Sequence, residues 1–292
     1  MSPLTTGFKL FKVCHVEDDE FTIFFIALVV SIVSYVAYAP YRTARLAVRD
    51  PATIGVVRLA VFLTLAWLVY VLNFQADPSV TAIYKIFYFV LGYAIIRPLG
   101  AMTASIFGAR WRADVIERGN MSAALYYASF LISIGMIYGG SLWGEADPDD
   151  TGDEGGWWIP VGFFLLGYIV LCVAKAFFAS RERELSKKIQ QNGDIGDGLA
   201  ASTYTLSVAW VITEAVSGDF YGWGHGLLCV GAIAGMVLVH ELISMLLHRF
   251  AGFRENPFGR LLENGAYLGL GAGTWFLSRQ MEAGWPFSEG AG

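Results

Sequence analysis

Apolar residues in this chain run in long stretches, and charged residues gather in the short segments between them. Each stretch is roughly 20 residues, which at ~1.5 Å rise per residue matches the ~30 Å hydrocarbon core of a bilayer. The pattern predicts helical spans at 21–39, 52–72, 82–107, 121–143, 157–179, 196–217, 223–247 and 259–278. The last is Gly-rich and interrupted by polar residues, so a seven-span reading stays open, although glycine is common where membrane helices touch because it lets backbones approach. The expected fold class is all-α, a polytopic transmembrane helical bundle of about eight spans. Residues 1–20 form an extracytoplasmic N-terminal segment, 21–278 the bundle and 279–292 a C-terminal tail.

Composition supports the same class. Of 292 residues 55% are hydrophobic and 15% charged, with a mean hydropathy of +0.52, whereas a soluble domain carries about 25% charged residues. Three cysteines are too few for a disulfide framework. Cys172 and Cys229 sit inside apolar stretches, where a thiol acts as a small hydrophobe.

Basic residues set the expected orientation. Arg42, Arg45 and Arg49 follow the first span, Arg110, Arg112 and Arg118 the third, Arg181, Arg183, Lys187 and Lys188 the fifth, and Arg249, Arg254 and Arg260 the seventh. The connections at 73–81, 144–156 and 218–222 hold no Lys or Arg and are acidic instead. The basic loops are therefore expected in the cytoplasm and both termini outside, in a bacterial inner membrane. Ala37-Tyr38-Ala39 imitates a signal cleavage site, but Pro40 follows it and acidic residues occupy the place of a basic n-region, so the first span reads as retained.

Every basic loop ends in a similar junction. With Asp50, Asn120, Asp194 and Asn264 as anchors, the spacings are 70, 74 and 70 residues (120−50, 194−120, 264−194). A fixed period is the mark of a repeat architecture. Each period holds two spans, so the units are parallel two-helix repeats rather than the inverted repeats of many transporters. Asp or Asn at each anchor is expected to cap a helix start by accepting from its unpaired N–H groups.

A polar segment ending in Gly-Asn or a similar pair, followed by small residues opening a span, resembles the YjfL-like bacterial inner-membrane family, also called domain of unknown function 350. Glu117-Arg118-Gly119-Asn120-Met121-Ser122-Ala123-Ala124 and Gln191-Asn192-Gly193-Asp194-Ile195-Gly196 carry the resemblance, while Asp50-Pro51 departs from it. It would cover roughly residues 20–280, as a doubled form of a four-span member. The resemblance implies no established activity, and it implies association with envelope-stress and membrane-remodelling proteins.

Ionisable residues inside a bilayer are functional candidates by default. Arg58, Arg97, His240 and Glu241 are the four here. Arg97 and Glu241 each lie 23 residues before an anchor (120−97, 264−241), so an Arg97–Glu241 ion pair between repeat-equivalent positions is expected to relieve the desolvation of both. Snorkelling of Arg58 and Arg97 along their stems is the structural alternative. Lys175 is expected to snorkel at the cytoplasmic end of its span, and Glu214 to sit at the outer interface.

Catalytic and metal motifs fail on inspection. His240-Glu241 begins like H-E-x-x-H, but Ser244 stands where the second zinc-binding His belongs. The outer loop at Asp147, Asp149 and Asp153 partly imitates a calcium loop, with Trp158 in place of the bidentate Glu, and offers at most a weak divalent site. No enzyme activity, resident cofactor or nucleic-acid partner is expected. Two classes remain. One is a non-enzymatic membrane scaffold or envelope-stress partner, docking proteins on its basic cytoplasmic loops, with the lipid bilayer and a second copy of the chain as further partners. The other is a channel or transporter for a small ion or solute that uses the intramembrane Arg, Glu and His.

Overall fold

The computed structural model describes residues 18–38, 50–77, 80–144, 157–182, 187–189, 194–217, 223–249 and 257–284. Nearly all of these lie in eight long helices: α1 (Asp18–Ala37), α2 (Pro51–Phe74), α3 (Ala82–Ile106), α4 (Met121–Gly140), α5 (Trp158–Arg181), α6 (Ile195–Ala215), α7 (Trp223–Arg249) and α8 (Pro257–Gly284). A π-helical turn, Trp111–Glu117, stands between α3 and α4.

Three of the anchor residues sit where a helix begins. Asp50, in extended backbone, accepts a hydrogen bond from the Ala52 N–H at 2.9 Å, and Pro51 fills the first helical position, where a missing N–H costs nothing. Asn120 accepts from the Ala123 N–H at 3.1 Å and Asp194 from the Gly196 N–H at 2.8 Å. The fourth anchor is a correction. Asn264 lies inside α8, which starts at Pro257, and its Oδ1 is buried without a hydrogen-bond partner among the described residues. α8 opens on Pro257, as α2 opens on Pro51.

The even-numbered helices pack side by side and run parallel. Thr53 of α2 donates to the Val115 carbonyl just before α4, Thr64 faces Gly135, and Trp67 faces Gly139. Between α4 and α6, Ser122 faces Gly198, Ser133 donates to the Thr205 carbonyl, and Gly140 faces Thr213. Between α6 and α8, Tyr204 meets Tyr267, Ser207 faces Gly271, and Trp210 meets Trp275. Partner numbers rise together in every pair, so α2, α4, α6 and α8 form one row with their starts on one face. Past their far ends, Gly144 donates to the Gln75 carbonyl and ties the exits of α2 and α4 together.

The odd-numbered helices run the other way. Tyr138 of α4 donates to the Tyr88 carbonyl of α3 while Gly100 faces Leu131, an antiparallel contact. Helices α1 and α3 run parallel to each other: the Tyr84 hydroxyl donates to Glu20 at 2.8 Å, Phe24 stacks on Phe87, and Ser31 donates to the Val90 carbonyl.

Among the described residues five helices, α1 to α5, are long and apolar enough to cross a membrane. Burial separates them: 78% of the apolar window of α4 is enclosed by protein, against 11% for α1. α4 thus sits in the middle of the bundle and α1 on its rim. α6 falls short on hydropathy for a related reason. It is enclosed like α4, so it can carry Ser202, Thr203, Thr205 and Thr213, whose hydroxyls each donate to a carbonyl one turn back.

Candidate functional site

The connection between α3 and α4 carries Arg110, Arg112 and Arg118 and lies wholly within the described residues. Asp114 is almost fully buried, and its two oxygens accept from the Arg110 N–H at 2.9 Å and from the Arg118 guanidinium at 3.1 Å. Gly119 turns the chain at φ 62°, in the left-handed region that favours glycine, which brings Asn120 onto the start of α4. The Asn120 side-chain amide then donates to the carbonyl of Ile189, joining this turn to the helical turn at 187–189. Arg112 meets Glu117 at 3.2 Å on the surface. The result is a fixed scaffold with Arg110, Arg112 and Arg118 exposed on it.

The four intramembrane candidates divide into two groups. Arg58 and Arg97 line one half-open cavity of about 470 Å³ between α1, α2, α3 and the π-helical turn. The Arg97 guanidinium lies over the Tyr38 ring, 5.4 Å from its centroid, and its Nε is buried without a hydrogen-bond partner among the described residues.

His240 and Glu241 belong to the other end of the bundle. Glu241 meets Arg181 of α5 at 2.6 Å, a close ion pair without hydrogen-bond alignment. The expected Arg97–Glu241 pair is therefore not formed: each residue has a nearer neighbour on an adjacent helix. His240 is buried, its Nδ1 lies 2.8 Å from the Tyr267 hydroxyl, and its ring packs on Phe178.

Beside His240 lies a residue that sequence reasoning put elsewhere. Lys175 does not snorkel; it is 0% exposed. Its Nζ has no hydrogen-bond partner among the described residues and stands amid four aromatic rings. The centroids are 4.2 Å away for Phe178, 4.9 Å for Tyr126, 5.2 Å for Tyr204 and 5.7 Å for Phe130. Each such contact contributes ~0.5 to 2 kcal/mol when desolvated, against a burial penalty of several kcal/mol for an ammonium. A protonated amine there would meet the negative faces of the rings, which offset part of that cost. Glu214 is also buried rather than interfacial.

Within the described residues no group of three His, Cys, Asp or Glu side chains is arranged to hold a metal ion. Asp147, Asp149 and Asp153 lie outside the described residues.

Residues 78–216 match the model of a family described as Domain of Unknown Function (DUF350), a stretch that runs from just before α3 to the end of α6. This segment belongs to the DUF350 family. The DUF350 segment holds both enclosed helices, the Asp114 turn, Arg97 and Lys175, while Arg58, His240 and Glu241 lie outside it. It is shorter than the 20–280 anticipated from the junctions. No curated protein and no solved structure matches the chain.

Proposed function

We propose that this chain is a non-enzymatic scaffold of the bacterial inner membrane, with about eight spans built from parallel hairpin repeats and both termini outside. Its basic junctions face the cytoplasm and dock membrane-remodelling or stress proteins there. The observation that carries the reading is the α3–α4 turn. Buried Asp114 and capping Asn120 hold it rigid while Arg110, Arg112 and Arg118 stay exposed. A rigid basic surface orders few groups on binding, and its field steers acidic partners. The experiment is site-specific photocrosslinking in intact membranes from position Arg112, comparing the native chain with Arg110→Glu. Crosslinked partners lost on charge reversal support docking; adducts unchanged by reversal, or lipid adducts alone, would remove it.

One observation favours a second reading, a path for a small ion or solute. Lys175 and His240 put two ionisable groups deep in the bundle, where charge is otherwise expensive. Flux through reconstituted vesicles tests this. A protein carrying Lys175→Met and His240→Phe that conducts as the native chain does would exclude the path, and a native chain without flux would exclude the whole class.

A further inference from the structure

We propose that the cavity between Arg58 and Arg97 binds one phosphate-bearing anionic amphiphile from the bilayer, with its headgroup held between the two guanidinium groups. Three features of the cavity lead there, and none depends on the docking reading above.

The first is charge. Two arginines line the cavity and, among the described residues, no carboxylate does. A guanidinium presents five donors in a planar fork that suits phosphate, and Arg97 Nε is buried with its hydrogen-bonding capacity unused. The Tyr38 ring face answers part of the Arg97 charge but accepts none of its N–H groups in a conventional hydrogen bond. An anion would meet both needs.

The second is the wall. Tyr35, Tyr38 and Tyr93 bring phenol groups to the cavity, while Val57, Leu65 and Phe89 give it an apolar side. A polar head on an apolar tail matches that division; a fully hydrated inorganic ion would use only half of it. The volume of about 470 Å³ falls within the ordinary range of small-molecule sites and accommodates a headgroup with the beginning of its chains.

The third is position. Arg58 is exposed on α2 beside Leu59 and Phe62, which are exposed apolar residues on a helix fit to cross a membrane. It lies eight residues beyond the Asp50 cap, ~12 Å along the helix. At that depth an arginine lies within reach of headgroup phosphates, and basic pockets between membrane helices are known to hold anionic headgroups.

The full chain in phosphatidylcholine nanodiscs, titrated with phosphatidylglycerol and read by native mass spectrometry, tests the proposal. The native protein is expected to retain one phosphatidylglycerol through mild activation. Arg58→Gln, on an exposed position that leaves packing intact, and Arg97→Gln are each expected to weaken retention about tenfold or more, the loss of a charge-assisted pair. Arg97→Lys, which keeps the charge without the fork, should fall between. Retention equal in the native chain and in Arg58→Gln would overturn the proposal. So would displacement of the lipid by millimolar inorganic phosphate, which would make the site one for a free anion.

Discussion

Gly198 stands at the start of α6 close against α4, and Gly198→Ala tests how tightly the two helices are packed. A Cβ at this position would lie 2.4 Å from Ser122 Oγ, 2.7 Å from the Ser122 carbonyl oxygen and 2.8 Å from Ser122 Cα. A serine hydroxyl could rotate away, but backbone cannot, so the two helices must separate by several tenths of an ångström. Overpacking of this kind costs ~1 to 3 kcal/mol, and the better helix propensity of alanine returns roughly 0.5 to 1 kcal/mol. The expected net loss is about 0 to 2.5 kcal/mol. Gly140→Ala, whose Cβ would meet the Thr213 carbonyl oxygen at 2.7 Å near the opposite end of the pair, should cost a similar amount. With some 27 Å of helix between the two contacts, the losses should add. Gly55→Ala is the control, because nothing lies within 4 Å of its added carbon. Unfolding in mixed micelles by titration with denaturing detergent gives the three stabilities. Gly198→Ala as stable as Gly55→Ala would refute the close approach of α4 and α6.

Three other substitutions test the local chemistry. Asp50→Ala removes a helix cap and should cost about 1 kcal/mol, whereas Asn264→Ala, inside α8 with an unsatisfied oxygen, should be neutral or stabilising in the same assay. Asp114→Ala strands the Arg110 N–H and frees Arg118, with an expected loss of about 1 to 3 kcal/mol and increased proteolysis at the α3–α4 turn. Lys175→Met should remain within roughly 2 kcal/mol of the native chain or exceed it, because an apolar side chain of similar length needs no desolvation. Lys175→Glu should lose more stability than Lys175→Met, since a carboxyl group there must be desolvated and, if ionised, faces the negative faces of four rings; a Glu variant as stable as the Met variant in a thermal scan would contradict the aromatic cage.

The helices α1 to α5 were legible as spans because membrane thickness sets their length and charge ends them. The expectation of 52–72 became Pro51–Phe74, and 82–107 became Ala82–Ile106. Asp50, Asn120 and Asp194 were legible as caps because a short polar acceptor before small residues has one economical use there. Asn264 misled because Asn-Gly-Ala imitates that junction within a helix already two turns old. Spacing places a residue along an axis but not around it. That is why Lys175 was read as snorkelling when it points into the aromatic centre. Repeat equivalence also says nothing about which helices touch, so it paired Glu241 with Arg97 when Arg181 stands on the neighbouring helix.

The central claim is that α4 and α6 pack side by side and run parallel. Paired cysteines at Ser133→Cys and Thr205→Cys test it most directly, in a chain carrying Cys14→Ser, Cys172→Ala and Cys229→Ala, with a protease site inserted in the 145–156 loop. Oxidation in membranes should join the two halves after cleavage, because Ser133 Oγ lies 3.4 Å from the Thr205 carbonyl oxygen. The pair Ser122→Cys with Thr213→Cys, at opposite ends of α4 and α6, should leave the halves separate. Crosslinking of the second pair in preference to the first would contradict the parallel row.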